Sequence, residues 1–249
     1  MSSPSEIAEW KFVRFGLIVT GKGEEGFLPT LFRSLTTSGH CMFEVIRRIG
    51  QRAPITSEKK KIKMTGEGKT IPSKDEEEIG LTARRYLTRK DTFVILIDDL
   101  ESDRAIGMEA IFQRYRQALD TMLGPLRHRA SVHFLVNMLE AYYFADAQAI
   151  NAVLGTDQAD YEEDVETIRH PKNELKRLAS GFDEIVHGRQ ILNKLDTERI
   201  LSRMDTCASL RTLFAWCSRA MGEPFADRYR LVDGVRNPIT ESQIEDLLG

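Results

Sequence analysis

Cysteine is scarce in this 249-residue sequence. There are three, Cys41, Cys207 and Cys217, and none forms a CxxC pair or a Cys/His spacing suited to a metal. An odd count argues against a disulfide framework and for a reducing compartment. Long apolar runs are also missing: none approaches the roughly 20 residues needed to span a bilayer, so no membrane association is expected. The opening Met1-Ser2-Ser3-Pro4-Ser5-Glu6 lacks the basic and apolar regions of a secretory signal, and a cytoplasmic location is expected. Neither charge sign dominates. The formal net charge of -3 gives no global nucleic-acid signature, so any such contact must come from a local basic patch. No internal repeat, low-complexity tract or defensible Ser/His/Asp or Cys/His constellation is present.

What is present is a globular composition, 41% hydrophobic and 29% charged, sufficient to bury a core. Phe12 to Thr20 is short, mostly apolar and rich in strand formers, as a buried parallel strand is. Gly21-Lys22-Gly23 ends it, and the residues from Glu24 to Leu35 carry apolar side chains at helical spacing. Cys41 to Ile46 is a second candidate strand. Thr92 to Ile97 is the strongest, and it runs straight into Asp98-Asp99-Leu100-Glu101-Ser102-Asp103. A helix from about Ala105 to Leu123 stops at Gly124-Pro125. Ser131 to Val136 is the fourth strand, followed by helical patterns from Asn137 to about Met221. Alternating strands and helices imply an α/β fold, a mostly parallel sheet flanked by helices, with an all-helical C-terminal half. The expected division is an α/β domain over 1–146 and a helical extension packed on it over 147–249.

Open parallel sheets place sites beyond the carboxyl ends of their strands. Three acidic groups are expected at that edge: Glu24 and Glu25 after the first strand, Asp98, Asp99, Glu101 and Asp103 after the central one, and Glu140 after the fourth. Carboxylates held together repel, and a hard divalent cation is the simplest compensation, with oxygen ligands favouring Mg²⁺ or Mn²⁺. Plainer readings stand beside this one. Glu24 and Glu25 suit the first turn of any helix, Asp98 and Asp99 suit a helix cap, and Glu140 suits an exposed helix face. Convergence on one edge is what favours the site.

Gly21-Lys22-Gly23-Glu24 lacks the ending of a P-loop and does not match a dinucleotide fingerprint. Residues 51–74 carry seven basic and two acidic side chains. Lys59, Lys60, Lys61 and Lys63 there are candidate phosphate contacts, or a solvated loop. His170 and Lys172 flank Pro171 at a helix start, within reach of a substrate phosphate if that helix faces the site.

Several segments resemble a known family. Val19-Thr20-Gly21-Lys22-Gly23-Glu24-Glu25 looks like the first motif of Toprim-type domains, the metal-binding domains of topoisomerases, primases and overcoming-lysogenization-defect nucleases. Ile97-Asp98-Asp99-Leu100-Glu101 resembles their aspartate-rich second motif. Leu139-Glu140-Ala141-Tyr142-Tyr143-Phe144-Ala145-Asp146 and His170-Pro171-Lys172-Asn173-Glu174-Leu175 are similar to a small uncharacterised Toprim-like family, and Ile200 to Met221 looks like its closing helices. The resemblance implies a Toprim-like sheet and Mg²⁺- or Mn²⁺-dependent phosphodiester hydrolysis. It implies nucleic acid and an AAA-type ATPase as partners, defence against foreign nucleic acid as the setting, and a capacity to oligomerise. Carried over, Glu24, Glu25, Asp98, Asp99 and Glu101 are metal ligands, and Glu24, Asp98, Glu140 and Lys172 catalytic candidates. Two departures stand out. Thr20 occupies a position where the family commonly has Glu, and the Asp-x-Asp spacing appears only as Asp99-x-Glu101. These leave open a catalytically inactive binding or regulatory subunit of an ATPase complex.

Overall fold

The computed structural model describes residues 11–54 and 72–222 in full, and the backbone of short strands at 65–66, 69–70, 229–232 and 235–238. Lys59, Lys60, Lys61 and Lys63 lie outside the described residues.

Strand β1 (Val13–Val19) and β2 (Cys41–Arg48) precede a small antiparallel pair, β3 (Thr65–Gly66) and β4 (Lys69–Thr70). Strands β5 (Thr92–Leu100) and β6 (Ala130–Val136) complete the main sheet. Its order is β2-β1-β5-β6, and every pairing is parallel. The central strands are buried on both faces, which is why VRFGLIV and TFVILI read as continuous apolar runs. The structure is thus mixed α/β, a four-stranded parallel sheet flanked by helices.

Side chains alternate along each strand, and this divides the core. Phe15, Leu17, Val19, Ile95 and Ile97 face one layer, built largely from residues after 138. There Phe32 stacks on Phe214 and the Trp216 ring meets Phe15 edge-on. Ile18, Leu96 and Leu100 face the other layer, where Ile111, Tyr115 and Leu119 pack from the helix Met108–Leu123.

Several elements differ from their sequence readings. The segment after Gly21 is not one helix: Lys22–Phe27 is α-helical, Leu28–Phe32 a 3-10 turn and Arg33–Thr36 a last α turn. Pro29 lacks the N–H that a continuous helix needs. β5 extends three residues further than read, through Asp98 and Asp99 to Leu100. Leu139–Ala145 is a 3-10 helix. The only regular elements over 147–222 are helices, joined by irregular segments such as 155–164, and an antiparallel pair, β7 (Tyr229–Val232) with β8 (Val235–Pro238), follows. The tail is therefore not wholly helical.

Candidate functional site

Because β5 includes Asp98 and Asp99, neighbouring carboxylates point to opposite faces of the sheet. Asp98 shares the face of Leu96 and Leu100, and is completely buried. Arg104 donates to both of its oxygens, at 3.0 and 2.6 Å, and the Tyr115 hydroxyl donates at 2.9 Å. The Thr20 hydroxyl donates to it at 3.0 Å and accepts the Asp99 N–H at 3.1 Å. Asp98 thus has an ion pair and a full set of donors. It anchors the end of β5 from the face opposite Asp99 and does not line the cleft that Asp99 enters.

Asp99 shares the face of Ile97 and meets Glu24 and Glu140 at the carboxyl ends of β1, β5 and β6. Glu24 lies in the first turn of Lys22–Phe27 and is buried. Its carboxyl neighbours that of Asp99, and each perturbs the other's ionisation. An added Cβ at Gly21 would sit 1.6 Å from Glu24 Oε2, so the absence of a side chain there admits the carboxylate. Glu140 follows two residues with left-handed backbone, Asn137 (φ 56°) and Met138 (φ 75°). Positive φ is unfavourable for both, most of all for Met138. The turn aims the Leu139 N–H at Asp99 Oδ1, 2.8 Å away, and brings Glu140 in behind it. A Glu24 oxygen and a Glu140 oxygen, both Oε2, are buried without a hydrogen bond.

Electrostatics follow from this crowding. Burial, then the Glu24 and Glu140 charges, raises the Asp99 carboxyl well above its ordinary range. Burial raises Glu24 and Glu140 as well. Burial opposes the charge on Lys172, but the Glu140 and Glu184 carboxylates outweigh it and raise its pKa. Lys172 Nζ lies 3.5 Å from Glu140 and 3.1 Å from Glu184. The result is a cleft of about 500 Å³ lined by the crowded carboxylates of Glu24, Asp99 and Glu140, by Glu101, Lys172 and Glu184, and by the Gly21-Lys22-Gly23 turn.

Of the sequence candidates, Glu24, Asp99, Glu140 and Lys172 come together, and Glu101, exposed, lines the same cleft. The Asp99-x-Glu101 register therefore describes the side chains that share this face. Glu25 does not join them. It pairs with Arg48 at 2.8 Å, half exposed, one helix position away from the cleft side. Three participants escaped the sequence reading: Gln51, whose amide donates to the Asp99 carbonyl at 2.9 Å, Glu184, and Tyr143. The Tyr143 hydroxyl is held well above its usual range by burial and then by Glu140, Glu24 and Asp99. The spacing of Tyr143 from Glu140, three residues on in one helical turn, was the available signal for it.

The donor set suits a hard cation. Mg²⁺ commonly keeps several waters and takes only one or two protein carboxylates, and Glu24 with Asp99 offers that pair, with unpartnered oxygen beside it. Among the described residues no group of three or more Asp, Glu, His or Cys side chains is placed to hold a metal ion, so a cation on this pair would depend on water or substrate oxygens for its other positions.

Fold and site together define a parallel α/β protein with a buried acidic cleft at its sheet edge. The chain belongs to the family described as a domain of unknown function (DUF4276), whose profile matches residues 19–216. Glu24, Asp99, Glu140 and Lys172 all fall within that span. No curated protein and no solved structure gives a significant match. Among the described residues no helix is long and apolar enough to cross a membrane.

Proposed function

We propose that the cleft hydrolyses phosphodiester bonds with a Mg²⁺ or Mn²⁺ held by Glu24 and Asp99. The observation that carries this reading is the pair of unpartnered carboxylate oxygens beside a raised Asp99, because a buried carboxylate oxygen without a donor calls for a cation or a proton. When bound, the cation lowers the pKa of a ligated water and offsets charge on the phosphoryl oxygens. Asp99 is held rigidly for such a task by the Leu139 N–H. Glu140 takes the proton of the attacking water at its free oxygen as the water oxygen bonds to phosphorus, and returns it to the ester oxygen that leaves when the scissile P–O bond breaks. Lys172 holds the positive charge that a phosphate approaching this acidic cleft requires.

The resemblance to Toprim-type nucleases supports the same chemistry, with an AAA-type ATPase as partner and foreign nucleic acid as target. A second reading is favoured by one observation. The residue at the family's usual Glu position, Thr20, is committed to Asp98 and to the Asp99 backbone, as befits a binding or regulatory subunit without catalysis. Incubation of the purified protein with labelled single- and double-stranded DNA and RNA, with Mn²⁺ or with EDTA, separates the two. Cleavage only with Mn²⁺, lost in Glu24→Gln, supports hydrolysis. Intact substrate under all conditions, with and without the ATPase, would leave the regulatory reading standing.

A further inference from the structure

Two hollows continue from the acidic cleft. The nearer, about 470 Å³, shares Glu101 and Lys172 with the cleft and adds Arg169 and His170. The farther, about 500 Å³, shares Arg169 and His170 and is lined by Phe144, Tyr161 and Ile168. Their shared lining residues join them into one groove past the start of the helix Pro171–Leu178: acidic at one end, mixed in the middle, where Arg169, His170 and Lys172 stand with Glu101 and Asp103, and aromatic at the other. Arg169 is exposed and makes no ion pair among the described residues. The aromatic end is firmly built. The Tyr161 N–H donates to the Phe144 carbonyl at 3.0 Å. Arg203 donates to the Tyr161 carbonyl at 2.6 Å and to the Ala145 carbonyl at 3.1 Å. Phe144 and Tyr161 pack against the core and are only half-buried.

A ligand that matches this sequence of surfaces needs a flat apolar face, a negative charge and a bond presented to the carboxylates, in that order. A single-stranded nucleic acid has all three. Base–aromatic stacking tolerates any base but requires that the base be unpaired, whereas a duplex keeps its bases stacked on one another. We infer that the groove binds single-stranded nucleic acid. The phosphates pass Arg169 and Lys172 toward the acidic cleft, and a flanking base seats against Tyr161 and Phe144. The inference rests on the phosphodiester reading for its direction along the groove.

Fluorescence anisotropy in EDTA tests it without cleavage, using a short labelled oligonucleotide as single-stranded DNA, single-stranded RNA and duplex DNA. One single strand or the other is expected to bind at least about tenfold more tightly than the duplex. Tyr161→Ala and Arg169→Ala are each expected to weaken that binding about tenfold, while Tyr161→Phe, which keeps the ring, binds as the wild type does. Arg169 is exposed, so its variant tests the groove even if Tyr161→Ala perturbs the fold. Equal affinity for single strand and duplex, absence of binding, or unchanged affinity in Arg169→Ala overturns the proposal. Selective binding without Mn²⁺-dependent cleavage would sink the hydrolytic reading and leave the groove intact. Cleavage without strand selectivity would do the reverse.

Discussion

A carboxylate inside a protein needs a counter-charge, donors or a proton. Asp98 has the first two, through Arg104, Tyr115 and Thr20. Asp98→Asn is therefore expected to destabilise the fold by about 3–5 kcal/mol, because it leaves the Arg104 charge buried without its partner. Denaturant unfolding measures this. Asp99 is the opposite case. Its pKa is raised, so the folded state keeps a proton that the unfolded chain releases near pH 4. The stability it contributes is present below that pH and is lost as pH rises through the folded value. Asp99→Asn keeps an acceptor for the Leu139 N–H and removes the repulsion. It is expected to raise the melting temperature more at pH 8 than at pH 5. A gain that is equal at both pH values, or a loss at pH 8, would contradict the assignment of repulsion to this residue.

Turns and strand ends decide which side chains meet. Gly21 admits Glu24 only because it has no Cβ. Gly21→Ala is expected to displace that carboxylate and weaken Mn²⁺ binding at least about tenfold while leaving the sheet intact, a pairing that calorimetry and circular dichroism check together. The Asn137-Met138 turn stores strain at the other side of the cleft. Met138→Gly relieves a positive φ but also empties a buried side-chain site, and is expected to destabilise the fold by a net of about 1–3 kcal/mol in denaturant unfolding. The strands, their parallel pairing and the acidic edge were legible in the sequence, because buried runs such as Thr92–Ile97 carry a strong pattern. What was not legible was the extent of β5. Ending the strand at Ile97 concealed the alternation that sends Asp98 and Asp99 to opposite faces. Pro29 signalled the break in the first helix, but the apolar spacing from Glu24 to Leu35 masked it. Gln51 and Glu184 lie 48 and 85 positions from Asp99 in the numbering, and no local pattern links residues so distant.

At the scale of the molecule, one sheet separates two tasks. The layer against Met108–Leu123 locks Asp98 and the end of β5 in place. The other layer, shared between the sheet and the C-terminal helices, assembles the cleft from Glu24, Asp99, Glu140 and Lys172. Burial raises the pKa of the carboxylates in that cleft, so a cation competes with protons there, and cation affinity is expected to rise with pH and binding to release protons. The most direct test is calorimetric titration of Mn²⁺ into the wild type, Glu24→Gln and Asp98→Asn at pH 6 and pH 8, in buffers of different ionisation enthalpy. The expected result is tighter binding at pH 8 with proton release, loss in Glu24→Gln, and retention in whatever fraction of Asp98→Asn remains folded. Wild-type protein that takes up no cation at millimolar Mn²⁺ at either pH would contradict the account.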